Sequence, residues 1–274
     1  MASKVLPRVI VTGAAGRTGS LVFSKLLQSG KYNPIGILRT KESLKKLSSV
    51  GASSSNTIVC DITNTEDLYA AFEGADKVIL CTSAIPKVDF LSIPNVLIAK
   101  ILGKTAVPKF TYPSNGSPYD VDWIGAKNQI DAAKKAKVKQ FVFLSSMGGT
   151  DPNNFLNTMG RKDGDEKSGN ILLWKRKAEK YLIDSGIPYT IVHPGGLLDK
   201  QGGEREIVFG INDELLKEKV KSIPRADVAE VCVQALDFPN ALTRSFDIIS
   251  RAPGEGKTMT DWKSFFSQRG NCKY

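Results

Sequence analysis

Three glycines at three-residue intervals, Gly13, Gly16 and Gly19, stand in the stretch IVTGAAGRTGS, directly after a short apolar run. Glycine loses more conformational freedom on being fixed than any other residue, so such a cluster marks a turn whose geometry or close neighbours exclude a Cβ. The run before Gly13 reads as a strand and the residues after Arg17 as a helix. In that context a bare backbone lets a pyrophosphate approach the helix N–H groups and the positive end of the dipole, which is the chemistry of a dinucleotide site. The spacing is GxxGxxG rather than GxGxxG, and a tight turn with close helix packing would use the same residues. The second strand, PIGILRT, presents Arg39 where an Asp or Glu would meet a free ribose 2′-OH. With Arg17 in the glycine loop, two guanidiniums favour a 2′-phosphate; a solvated strand-end charge is the alternative for Arg39. In the third strand, NTIVCDIT, Asp61 either accepts from an adenine amino group, with Ile62 over the ring, or caps the next helix.

The elements that must position these residues follow an alternating pattern. Apolar runs of strand length, RVIVTG, PIGILR, NTIVCD, KVILCT, QFVFLSS, YTIVHPG and SFDIIS, are separated by helical patterns at Thr18–Gln28, Lys41–Ser48, Thr65–Phe72, Trp123–Ala136, Ile171–Ser185 and Ala226–Leu236. Continuous rather than alternating apolar strands need burial on both faces, so the expected class is α/β, a doubly wound parallel sheet. Two stretches break the rhythm, Ile85–Pro118 and Met147–Ser168. Both leave from strand carboxyl ends, where ligands of open α/β sheets sit, so both can border a site. The tail TDWKSFFSQ spaces Trp262, Phe265 and Phe266 as on a helix docked to the core.

With 274 residues, 41% of them hydrophobic, the chain can bury a sizeable core. MASKVLPR is too short and polar for a signal-peptide core, and no apolar run reaches the length of a membrane span, so a cytoplasmic protein with no membrane association is expected. The formal charge of +10 admits an anionic ligand or a nucleic acid. Its lysines are interleaved with acids and not with aromatics, which argues against nucleic acid. Cys60, Cys81, Cys232 and Cys272 form no CxxC pair and His193 is the one histidine, so reduced structural thiols and no metal are expected.

The motifs TGAAGRTG, ILR, CDIT, CTSAIP, VDWIGAKNQIDAAK, SSMGGTDP, NILLWKRKAEKYLIDSGIPYTIVHPGGLLD and PRADVAEVCVQAL occur in this order. On them the chain resembles the atypical short-chain dehydrogenase/reductases, in particular the NAD(P)H-binding, NmrA-like and biliverdin-reductase-B-like group with its small plant and algal NADP-binding members. The resemblance implies a single Rossmann-type domain over residues 1–274, with an insertion at 85–118, a small C-terminal substrate portion from about residue 194, and NADP(H) as cofactor. It implies Gly13, Ala15, Gly16, Arg17 and Thr18 at the phosphates, Arg39 at the 2′-phosphate, and Asp61 and Ile62 at adenine. Thr82, Ser83 and Ala84 would run beside the adenosine ribose and pyrophosphate, Ser145 and Ser146 under the nicotinamide ribose, and Lys175 at its hydroxyls. Pro194, Gly195 and Gly196 would flank the nicotinamide.

Dehydrogenases of this superfamily place a proton-donating Tyr four residues before the lysine. Here that position is Ile171, leaving Ser146 and Lys175 as the catalytic candidates. Lys175 could instead pair with Glu179 one turn on. Trp174 is either a wall against the nicotinamide or a core contact, His193 is more simply structural than catalytic, and Tyr112 and Tyr119 could reach in from the insertion. The function this implies is an NADPH-dependent reductase of a small carbonyl or conjugated substrate, acting as a monomer or homodimer. The alternative is a non-catalytic NADP(H) sensor of NmrA-like type.

Overall fold

The computed structural model describes residues 5–94, 98, 101, 103, 108–268 and 270–274. The short apolar piece at 95–103 therefore lies largely outside the described residues. The strands are β1 (Arg8–Thr12), β2 (Asn33–Leu38), β3 (Thr57–Val59), β4 (Lys77–Leu80), β5 (Lys87–Val88), β6 (Phe110–Thr111), β7 (Gln140–Leu144), β8 (Tyr189–Pro194), β9 (Gly196–Leu198), β10 (Ile207–Gly210), β11 (Ser222–Pro224) and β12 (Arg244–Ser250). The α-helices are α1 (Arg17–Ser29), α2 (Glu42–Leu47), α3 (Thr65–Phe72), α4 (Ala126–Lys135), α5 (Phe155–Thr158), α6 (Ile171–Asp184), α7 (Arg225–Gln234) and α8 (Trp262–Ser267).

All seven apolar runs expected as strands lie in one sheet of order β10-β12-β8-β7-β4-β1-β2-β3. Its pairs are parallel except β10 against β12. Successive residues of each strand feed opposite faces, as the pleat requires. Val9, Val11, Ile79, Val142, Val192 and Phe246 pack with α1, α7 and α8. Ile10, Ile37, Val78, Phe141, Phe143 and Ile191 pack with α3, α4 and α6 on the other side. This is a Rossmann-type sheet buried on both faces. Strand order reverses between β1 and β4, so the loops leaving these two strands, at Gly13 and Cys81, open the crevice where ligands of such sheets bind.

Two features depart from the expected pattern. The helix expected from Trp123 begins earlier, as a π-helix over Tyr119–Gly125 that runs into α4. The two long stretches also contribute short structure. Lys87 pairs with Thr111 and Val88 with Phe110 in an antiparallel ribbon, and α5 lies in the second stretch. The tail docks as expected: Asp261 accepts from the Ser264 N–H at 2.9 Å to cap α8, and Phe265 and Phe266 are buried around Phe246. Among the described residues no helix is long and apolar enough to cross a membrane.

Candidate functional site

The glycine loop is built to stay bare. Gly13 has φ +64°, and a Cβ there would stand 2.9 Å from the Cys81 carbonyl carbon and oxygen. A Cβ on Gly19 would collide with the Gly13 carbonyl. Gly16 donates its N–H to the Gly13 carbonyl at 2.8 Å, closing the turn, and stands as the N-cap of α1. No side chain caps this helix and no acid occupies its first turn, so its N-terminus faces the crevice without an anion of its own. These residues fit a dinucleotide pyrophosphate.

A cavity of about 410 Å³ starts at this loop. Gly13, Ala15, Gly16, Arg39, Asp61, Ile62, Thr82, Ser83 and Ala84 line it, all of them expected at the cofactor. Ser43 and Lys46 of α2 line it beside Arg39 and were not anticipated. The Arg17 guanidinium donates to Asp199 at 3.1 Å, both side chains being exposed, and stands outside this lining, whose cations are Arg39, Lys46 and Lys87. The capping alternative for Asp61 is corrected. Asn64 caps α3 by accepting from the Glu66 and Asp67 N–H groups, while Asp61 Oδ1 accepts from the Thr63 N–H and hydroxyl.

A second cavity of about 280 Å³ shares Cys81 and Ser83 with the first and holds Thr18, Ser145, Ser146, Lys175, Pro194 and Gly195. Gly196 is in β9, its N–H bonded to the Lys221 carbonyl at 2.8 Å, and is outside the lining. Much of the wall is apolar: Pro86, Leu144, Leu156, Met159, Ile171, Leu172 and Leu197. Tyr112 from the first long stretch completes it. Trp174 stands outside this lining, half-buried, its ring meeting Tyr119 edge-on at 5.0 Å.

Lys175 does not pair with Glu179. Its ammonium stands 2.8 Å from Asp122 Oδ1, and both side chains are buried, 7% and 0% exposed. Asp122 also accepts from the Ser83 hydroxyl at 2.9 Å and the Ala84 N–H at 3.0 Å. The π-helix that carries Asp122 thus ties Lys175 to the loop after β4, where the two cavities join.

Glu179 belongs to a different network. Fully buried, it accepts from the Ser145 hydroxyl, from Arg176 at 2.9 Å and from His193 Nε2 at 3.1 Å. His193 Nδ1 donates to Asp247 at 3.2 Å, with Cys272 Sγ 3.5 Å away. The Ser145 hydroxyl is thereby committed to a buried carboxylate, whereas that of Ser146 donates only to the carbonyl of the next residue, Met147, at 3.0 Å and is the serine more easily turned to a ligand. His193, Asp247 and Cys272 bring their polar atoms together within 4.8 Å, and each is hydrogen-bonded to its neighbours. All four cysteines are free thiols.

Burial alone would lower the pKa of His193, but the Glu179 charge and the hydrogen bonds the ring makes to Asp247, Cys272 and Glu179 outweigh it and hold the imidazole well above its ordinary 6.5. A group whose folded pKa is raised gives stability that is complete below its unfolded pKa and is lost as pH rises toward the folded one. Unfolding free energy should therefore fall above pH 6.5, by up to about 1.4 kcal/mol per pH unit, and His193→Gln should remove that slope. Urea unfolding at pH 6.5, 7.5 and 8.5 measures it; a flat profile in the unaltered protein would mean a neutral imidazole.

Residues that sequence reasoning missed are Asp122, Ser43 and Lys46. Lys46 was legible as the third basic residue of KESLKK after Arg39. Asp122 lies in the motif VDWIGAKNQIDAAK, but its pairing with Lys175 was not legible, because only the fold brings the two together.

Residues 13–239 match the NAD(P)H-binding family. An uncharacterised chloroplastic protein of Arabidopsis thaliana is 45% identical over 261 residues, spanning 95% of this chain and 74% of that one. Sanguinarine reductase of Eschscholzia californica is 43% identical over 272 residues, spanning 95% of each. Among solved structures, a provisionally assigned NAD-dependent epimerase/dehydratase of Bacillus halodurans superposes with a TM-score of 0.65 at 25% identity, covering 92% of this chain and 95% of that one. With a Rossmann-type sheet, a bare glycine loop and this match over most of its length, the chain belongs to the NAD(P)H-binding family of atypical short-chain dehydrogenase/reductases.

Proposed function

We propose that the protein is an NADPH-dependent reductase of a small, largely apolar carbonyl or conjugated compound. One observation carries the reading: the two cavities meet at Cys81 and Ser83, with Arg39, Ser43 and Lys46 at one end and Ser146 and Lys175 at the other. That span suits an adenosine 2′-phosphate at the first end and a nicotinamide at the second. The 43% identity to sanguinarine reductase supports a reductase of a small molecule.

When bound, the nicotinamide supplies a hydride. In this reading Lys175, held by Asp122, donates to the nicotinamide ribose, and Ser146 orients the acceptor. Leu156, Met159, Ile171 and Leu172 exclude water from the acceptor side, which strengthens every polar contact made there. We include in the proposal a monomer or homodimer acting on a small-molecule substrate without nucleic acid or membrane. The cytoplasm is the proposed compartment; the Arabidopsis relative is chloroplastic, and fractionation of cells making the full-length protein separates the two.

A non-catalytic NADP(H) sensor is the second reading, favoured by Ile171 standing where the superfamily's tyrosine would be. A sensor must bind the oxidised and reduced cofactors with different affinities, since equal affinity shifts no equilibrium. Turnover of NADPH with an aromatic diketone such as acenaphthenequinone, absent with NADP+ binding intact, would favour the sensor.

Preference for the 2′-phosphate is tested by Arg39→Ala. It should weaken NADPH by about 1.5–3 kcal/mol, the worth of a charge-assisted contact, and NADH far less. Equal losses in calorimetric titrations of the two cofactors would place Arg39 away from the phosphate.

A further inference from the structure

The superfamily's tyrosine position is Ile171, an apolar residue in the wall of the second cavity. A carbonyl acceptor nevertheless needs a proton. Seven side chains lining that cavity carry protons: Thr18, Cys81, Ser83, Ser145, Ser146, Lys175 and Tyr112. The Ser83 hydroxyl is given to Asp122 and the Ser145 hydroxyl to Glu179, Thr18 is an aliphatic alcohol in the first turn of α1, and Cys81 is a thiol on the loop after β4 where the two cavities join. The Ser146 hydroxyl donates to the Met147 carbonyl at 3.0 Å, and an aliphatic alcohol is a poor acid. The Lys175 ammonium is held 2.8 Å from a carboxylate that is fully buried; its loss of a proton would strand that charge.

Tyr112 follows directly on β6, so the ribbon formed by Lys87–Val88 and Phe110–Thr111 fixes its backbone at the cavity. Its ring is seated against Gly160 of the second long stretch. A Cβ on Gly160, whose φ is +68°, would stand 2.5 Å from ring atom Cε2 and 2.8 Å from Cδ2. The two stretches that interrupt the α/β rhythm therefore meet at this ring, one supplying the tyrosine and the other a bare position for it. Burial, with a smaller push from Asp122, raises the phenol to about 12, so at neutral pH it carries its proton.

We propose that Tyr112 is the proton donor of the reductase, supplied from the 85–118 stretch in place of the tyrosine absent at Ile171. This rests on the reductase reading above. A hydride from the reduced nicotinamide forms a C–H bond at the carbonyl carbon while the C=O π pair moves onto oxygen. The Tyr112 O–H bond breaks, its proton forms the new O–H of the alcohol, and the phenolate regains a proton from water. A phenol raised to about 12 remains a stronger acid than the alcohol it creates, so the transfer runs downhill.

The test uses two hydride acceptors with the full-length protein. Acenaphthenequinone needs a proton at oxygen; N-methylacridinium accepts hydride alone. Tyr112→Phe keeps the ring and removes the proton. It should lower kcat for the diketone about 100-fold and leave acridinium reduction, NADPH affinity and the thermal midpoint unchanged. Binding of acenaphthenequinone to the NADP+ complex, read by fluorescence without turnover, should weaken about fivefold through the lost hydrogen bond. Gly160→Ala, which displaces the ring and also strains a backbone held at φ +68°, should lower the thermal midpoint yet give the same loss with the diketone while sparing acridinium reduction. Equal losses with both acceptors, or no loss with either, would overturn the assignment while leaving the reductase reading intact. If the unaltered protein reduces neither acceptor, the reductase reading falls and the proton donor with it.

Discussion

Lys175→Met is expected to cost about 3–5 kcal/mol of folding stability, because it removes one member of a buried ion pair and leaves Asp122 charged and unpaired. From the sequence alone, a lysine paired one turn along an exposed helix would cost only about 0.3–0.5 kcal/mol. The two readings differ by several kcal/mol, which chemical denaturation resolves easily. Asp122→Asn should also destabilise strongly, since it strands the ammonium instead, although the amide can still accept from Ala84. The double variant Lys175→Met with Asp122→Asn should recover much of the loss, having no buried charge left to desolvate. A single-variant loss below about 1 kcal/mol would show a solvated pair. Cofactor titrations should then be made on the double variant, so that binding is separated from folding.

Glu179→Gln carries the second large effect. The carboxylate is fully buried and serves Ser145, Arg176 and His193, and burial, which would raise its pKa, is outweighed by the His193 and Arg176 charges and its hydrogen bonds, holding it below the ordinary carboxylate range. Neutralising it removes the one carboxylate that bonds both Arg176 and His193, leaving them with Asp247 at His193 and the more distant charge of Asp213 at Arg176, at an expected cost of about 3–5 kcal/mol. Its effect on NADPH affinity should be small, because Lys175 is anchored by Asp122 and not by Glu179. Denaturation and NADPH titration of this variant check both parts. A stability change of a few tenths of a kcal/mol would place Glu179 at the surface.

The cofactor half of the site was legible because it depends on local order: strand, glycine turn and helix are consecutive, and Arg39 and Asp61 fall at ends of strands whose neighbours follow from βα alternation. The catalytic half depends on contacts between residues distant in the chain. Nothing in spacing relates Asp122 to Lys175, or Tyr112 to Gly160, until the π-helix and the β5–β6 ribbon bring them together. The partner of Arg17 was likewise illegible: Asp199, from beyond β9, pairs with it and with Arg225, and no local spacing relates the three. Trp174 could not be placed because its ring meets Tyr119, which lies in the π-helical turn that begins ahead of the helix start expected at Trp123.

Transfer of isotope from cofactor to product tests the central claim most directly. NADPH carrying deuterium in the transferable position at C4 of the nicotinamide would be incubated with acenaphthenequinone and the full-length protein, and the alcohol examined by mass spectrometry. A groove that holds the nicotinamide at Ser146 and Lys175 beside an apolar acceptor wall should give alcohol bearing one deuterium at the former carbonyl carbon, at a rate well above the uncatalysed one. Alcohol free of deuterium, or none above background while NADPH binds, would contradict a reductase acting at this site.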